Sequence, residues 1–171
     1  NRGATVRGYT GEEIIDLSEM RALLEGYASR LAVNVITNEN IAELEYLLDR
    51  SRSCESDYRK YLERHDEFHL YLYELSGRKH LVKEITRLRL IHRPYLLAYS
   101  LGNQEQEMLG FEHDLIMDEL RRRDVDGTDR VVRAHVVRNA ENVASFVDKK
   151  MNDDSKPARP SSPRSRQLTE L

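Results

Sequence analysis

The sequence predicts an all-α protein, an antiparallel bundle of about six to seven helices with a metal site in its core. Three observations carry that expectation. Apolar residues recur three and four positions apart over most of the chain; turn residues are scarce, with 8 Gly and 4 Pro in 171 residues; and 33% of the residues are charged against 39% hydrophobic. That balance suits helices with one buried face and one heavily solvated face.

Taken in order, Thr10-Gly-Glu-Glu13 has the Thr-x-x-Glu form of a capping box, so a first helix is expected from about Gly11. Ile14, Leu17, Leu24, Tyr27, Leu31 and Val35 carry it to about Ile36, with a break near Ser18 allowed. Thr37 to Asn40 offers new N-cap residues for a second helix bearing Ile41, Leu44, Leu47 and Leu48. After a polar connector from Ser51 to Asp57, a third helix places Tyr58, Leu62, His65, Phe68, His69, Leu72 and Leu75 on one side and stops at Ser76-Gly77. A fourth starts near His80 with Leu81, Ile85, Leu88 and Ile91 inward, and Pro94 should kink or end it. Gly102 to Gln106 reads as a loop. The fifth helix, from about Glu105 to Arg122, carries Leu109, Glu112, His113, Ile116 and Leu120 inward; a turn at Asp124 to Gly127 leads to the sixth, with Val132, His135, Val136, Asn139, Val143 and Phe146 inside. Met151 to Leu171 has almost nothing to bury and is expected to be a disordered tail. The chain thus divides into a linker over residues 1–10, a helical domain over 11–150 and a tail over 151–171.

The formal net charge is -3, and the one dense basic run, Arg121 to Arg123, is followed at once by Asp124 and Asp126. This is not the footprint of a nucleic-acid binder. A single cysteine, Cys54, cannot form an internal disulfide, and no apolar stretch approaches the roughly 20 residues needed to span a bilayer. A reducing, cytoplasmic setting is expected, with no membrane partner. The chain opens on Asn1 without a signal-peptide pattern, which suggests a processed protein or a fragment.

Four of the 6 histidines, His65, His69, His113 and His135, fall on inward stripes. His65 and His69 stand four apart, so on a helix their imidazoles project from one face, one turn apart, as a chelate requires. A lone inward histidine is more often a hydrogen-bonded core residue than a ligand. Several buried together would need several separate acceptors, whereas one divalent cation satisfies them all and ties the helices together. His80 and His92 lie off this stripe and read as surface or capping residues. The run His65-Asp-Glu-Phe-His69 also invites comparison with the zinc-protease pattern His-Glu-x-x-His, so a metal-dependent hydrolase is the alternative function; Asp66, with its shorter side chain, would place a general base poorly. Nucleophilic catalysis has no visible candidate.

Phe68-His69, Leu72, Leu75-Ser-Gly77 and Leu81, then Glu112-His113 and Ala134-His135, with Leu17-Ser-Glu-Met-Arg-Ala-Leu-Leu-Glu25 upstream, resemble the FCD domain of FadR-like GntR transcriptional regulators. The resemblance covers about Tyr9 to Phe146 and implies a non-enzymatic, effector-binding domain. In that family the first metal ligand is usually an aspartate four residues before the Phe-His histidine. His65 occupies that position here, with Asp66 beside it as the alternative ligand. A nitrogen-rich set favours zinc or nickel over magnesium or calcium.

The resemblance further implies a small carboxylate effector that completes the metal's coordination, with Arg21 as its fork-like partner. The plain alternative for Arg21 is a surface salt bridge to Glu25. Arg2 to Arg7 resembles the end of a winged helix-turn-helix wing, so operator DNA would be read by an N-terminal domain absent from this chain. Reading paired half-sites implies a homodimer. Leu23, Leu24, Tyr27, Leu90, Leu97 and Tyr99 on the first and fourth helices are more apolar residues than one inward stripe can hold, unless those helices pack on both sides within a thick bundle.

Overall fold

The computed structural model describes residues 8–54, 57–102 and 108–154, and these form six α-helices: α1 (Gly11–Val33), α2 (Asn38–Arg52), α3 (Tyr58–Glu74), α4 (Lys79–Gly102), α5 (Met108–Arg122) and α6 (Val125–Asp154). No strand occurs among the described residues, and no helix there is long and apolar enough to cross a membrane. The wing-like residues Arg2 to Arg7, most of the Gly102 to Gln106 loop, the Leu109 side chain and the tail beyond Asp154 lie outside the described residues.

Side-chain contacts fix the helix directions. Gly11 at the start of α1 meets Asp148 late in α6, while Arg30 near the end of α1 pairs with Asp126 at the start of α6, so the two run antiparallel. The same logic orders α3 against α4, through Asp66 with Arg89 and Glu63 with Arg93, and α2 against α5, through Glu45 with Arg121 and Arg52 with Asp114. The main core gathers Ala28, Leu44, Leu48, Phe68, Leu72, Ile85, Ile116, Leu120 and Val132 from all six helices. Burying each large side chain there contributes about 1.5–3 kcal/mol.

Local chemistry explains the ends. Thr10 and Glu13 form the expected capping box, and Thr37 with Asn40 forms a second one. Gly77 adopts φ 66° after α3, a left-handed conformation that favours glycine.

Four expectations change. α1 is unbroken at Ser18, and its buried face consists of Ile14, Ser18, Arg21, Ala22, Glu25, Gly26, Ala28, Ser29 and Ala32, while Tyr27 and Val35 face outward. Small residues let α1 lie close to α6: a Cβ on Gly26 would run into the Asp129 carboxylate and the Arg133 side chain, whose Cγ would be 2.8 Å away. Pro94 does not end α4, which runs eight residues further. The carbonyl that loses its partner N–H belongs to Leu90, on the exposed face of α4, while buried Leu88, His92 and Ser100 hold the helix on either side. The Asp124 to Gly127 turn is instead the start of α6, with the Gly127 N–H donating to the Asp124 carboxylate. Finally, α6 continues to Asp154, past the expected domain boundary at residue 150.

Candidate metal centre

Three helices deliver the four inward histidines to one point. His65 and His69 come from α3, His113 from α5 and His135 from α6; all are buried, and one potential ligand nitrogen from each lies within 4.8 Å of the others. The Nε2 atoms of His65 and His113 are 2.8 Å apart, and that of His69 is 3.2 Å from each. Metal–nitrogen bonds of about 2.0–2.1 Å require ligand separations of roughly 2.9 Å at a right angle and roughly 3.3 Å at the tetrahedral angle, each within about 0.1 Å of an observed distance.

The surroundings select the tautomers. Tyr73 donates its hydroxyl to Glu25 at 2.6 Å, so its oxygen can only accept from His69 Nδ1–H, 3.1 Å away. That leaves His69 Nε2 with a bare lone pair aimed at the other rings. His135 Nδ1–H donates to Glu112 at 2.7 Å, a carboxylate fixed in turn by Arg138 at 2.5 Å, and Nε2 of His135 is likewise left as the lone-pair nitrogen. His65 stacks on Tyr61 with ring centroids 5.6 Å apart.

Burial pushes His65 and His69 well below the ordinary histidine pKa, and neighbouring histidines and Arg89 push them further, so these rings are neutral. Three neutral nitrogens in mutual contact cannot all be satisfied by N–H groups: one proton leaves two lone pairs opposed, and two protons oppose each other. A cation accepts all three. The donor set therefore fits a divalent metal, and its all-imidazole character suits zinc or nickel.

Asp66, the alternative first ligand, turns elsewhere. It binds Arg89 Nη2 at 2.7 Å and lies 3.7 Å from Arg93 Nε. The Arg21–Glu25 pair is not a surface salt bridge: Arg21 is buried, and its Nε donates to Glu25 at 3.0 Å. Glu25 is fully buried, and burial alone would raise its carboxyl; Arg21, Arg89 and the Tyr73 hydroxyl overcome this and hold it below the usual carboxylate range. His92 is not a surface or capping residue but is buried on α4, whereas His80 is exposed as expected. Tyr73 and Arg89 are not singled out by the sequence reading; the spacing of Tyr73, four residues after His69 on the same helix, is the signal that could have found it.

A family model described as the FCD domain matches residues 16–138. The Nta operon transcriptional regulator of Aminobacter aminovorans is 29% identical over 148 residues, which cover 86% of this chain and 69% of that protein. Among solved structures, E. coli McbR/YncC matches with a TM-score of 0.75 at 22% identity, covering 83% of this chain and 73% of that one. At that identity the likeness is one of fold.

Proposed function

The chain belongs to the FCD domain family, the effector-binding domain of FadR-like GntR regulators, and from that premise we propose that it senses a small organic acid at the four-histidine centre. His65, His69, His113 and His135 hold a divalent metal, zinc or nickel. The bound ion supplies positive charge and an open position for a carboxylate. Arg21 lies in the adjoining charged network, and its guanidinium orients the acid. Occupancy alters how a winged helix-turn-helix domain, N-terminal to this chain, engages operator DNA. The observation that carries the reading is the convergence of three buried Nε2 atoms within 3.2 Å of one another. The regulator from A. aminovorans supports the regulatory output.

We take the working unit to be a homodimer. Leu23, Tyr27 and Leu90 are 58%, 49% and 59% exposed on α1 and α4, which pack together, whereas Leu24, Leu97 and Tyr99 are only partly exposed. The apolar surplus is thus narrower than the sequence suggested, yet it still presents large side chains to solvent. The hydrolase alternative gains no support, because Asp66, the residue in the position of the protease base, is held by Arg89 and Arg93.

The test is to measure bound metal by elemental analysis and then thermal stability against a panel of carboxylates, with and without chelator. Metal at one equivalent, and an acid-dependent rise in Tm that chelation abolishes, are expected. A metal-free protein that no acid stabilises would refute the reading.

A further inference from the structure

One buried group has no part in the centre described above. His92 on α4 is 6% exposed, and its Nε2 has no hydrogen-bond partner. It stands three residues after Arg89 on the same helix and so shares its face, within electrostatic reach of Arg21 and Glu25 on α1. An imidazole nitrogen left without a partner in a polar interior demands an explanation.

The buried polar groups around it are not all engaged. Arg21 is buried and Arg89, its side chain 13% exposed, nearly so, and the two share the buried carboxylate of Glu25. The other carboxylate in reach, Asp66, is about one-third exposed and divides itself between Arg89 and Arg93. Of the Arg21 nitrogens, only Nε is engaged among the described residues. Arg93 has Glu63 as a further partner, so these arginines are matched in number by carboxylates, but imidazole ligands add no negative charge to a divalent ion held beside them. Buried positive charge of this kind is costly unless an anion joins it.

We propose that Arg21, Arg89 and His92 form a second anion subsite beside the four-histidine centre, so that the acid sensed carries at least two carboxylates. This rests on the reading that the centre binds a metal and an organic acid. Burial, then Arg21 and Arg89, lower His92 to about 3, so its ring is neutral and offers one N–H. That N–H and the unspent Arg21 nitrogens receive the second carboxylate, while the first meets the metal. The two positions are neighbours: the hydrogen-bond path from His69 Nδ1 through Tyr73 and Glu25 to Arg21 has links of 3.1, 2.6 and 3.0 Å.

The experiment is calorimetric titration of the zinc-loaded chain with succinate and glutarate, and with butyrate and valerate, the same chains less one carboxylate. At least one diacid is expected to bind about ten-fold or more tightly than its monoacid partner, because a carboxylate joins charge-assisted donors. In His92→Leu the diacid advantage should shrink at least about three-fold, with monoacid affinity and zinc content unchanged; His92→Asn, which keeps a donor, should recover part of it. Metal content and melting curves of both variants confirm that they fold. Equal affinity for diacids and monoacids, or an unchanged ratio in His92→Leu, overturns the second subsite and leaves the metal–acid reading standing. Binding of none of the four acids by zinc-loaded protein overturns both.

Discussion

Replacing Tyr73 with Phe removes one oxygen and almost no volume, so the core keeps its packing and the hydroxyl's role is isolated. Two losses follow. Glu25 loses the 2.6 Å bond from the hydroxyl, a charge-assisted contact worth about 1.5–3 kcal/mol. His69 Nδ1–H is left buried without an acceptor, a penalty of about 1–3 kcal/mol. Together these predict a destabilisation of roughly 3–4 kcal/mol, and at about 2–4 °C per kcal/mol for a chain of this size the melting temperature should fall by roughly 10 °C. Metal affinity should also drop about 10–100-fold, because the ring is no longer held in its ligating tautomer. Circular dichroism melts of metal-free protein and a chelator competition assay of loaded protein read the two effects separately. Combining Tyr73→Phe with Glu25→Gln should cost less than the two single losses added, since the first removes and the second weakens the same bond. A metal-free loss below about 0.5 kcal/mol, within the range of an ordinary surface substitution, would refute the hydrogen-bond chain as described.

His65→Ala should strip most of the metal while Asp66→Ala retains it, as elemental analysis would show; the reverse pattern would make Asp66 the ligand. Acid should destabilise the metal-free chain from about pH 6.5 downward, because His92 ionises near 6.5 when unfolded and only near 3 when folded. Below 6.5 the unfolded state holds the extra proton, so this contribution is complete above that pH and fades at up to about 1.4 kcal/mol per pH unit toward pH 3. Chemical denaturation of His92→Leu across that window should give a shallower slope, and an identical slope would contradict the assignment. Light scattering should return a particle of about twice the chain's 20.0 kDa mass, and Leu23→Glu with Leu90→Glu should reduce it to the monomer; a native monomer at micromolar concentration would reject the dimer.

Helices α2, α3 and α5 were legible because their apolar stripes carry large side chains at helical spacing, as Leu62, Phe68 and Leu72 do on α3. The same periodicity put all four histidines on inward faces. It failed on α1, whose buried face is made of small and ionic residues that a hydrophobic pattern reads as solvent-facing. His92 escaped for a related reason: its burial comes from α1 packing over α4, a tertiary fact that the α4 stripe alone does not contain. Of the two outcomes that Pro94 left open, a kink or an end, the end does not occur: the carbonyl that proline deprives of a partner lies on the exposed Leu90 face of α4.

Helix α6 also joins the centre to the start of α1. It contributes His135 to the centre, and roughly 20 Å further along, at about 1.5 Å per residue, Asp148 grips the amide of Gly11, the first residue of α1. Tyr9, just before it, is tied down as well, its N–H donating to the Tyr95 hydroxyl at 2.8 Å. A rod of that length tilted by about 5° at its inner end swings the outer end by roughly 1.7 Å, more than half a hydrogen-bond length. A tilt of α6 around His135 would therefore shift its grip on Gly11, while Tyr9 stays tied to α4 through Tyr95.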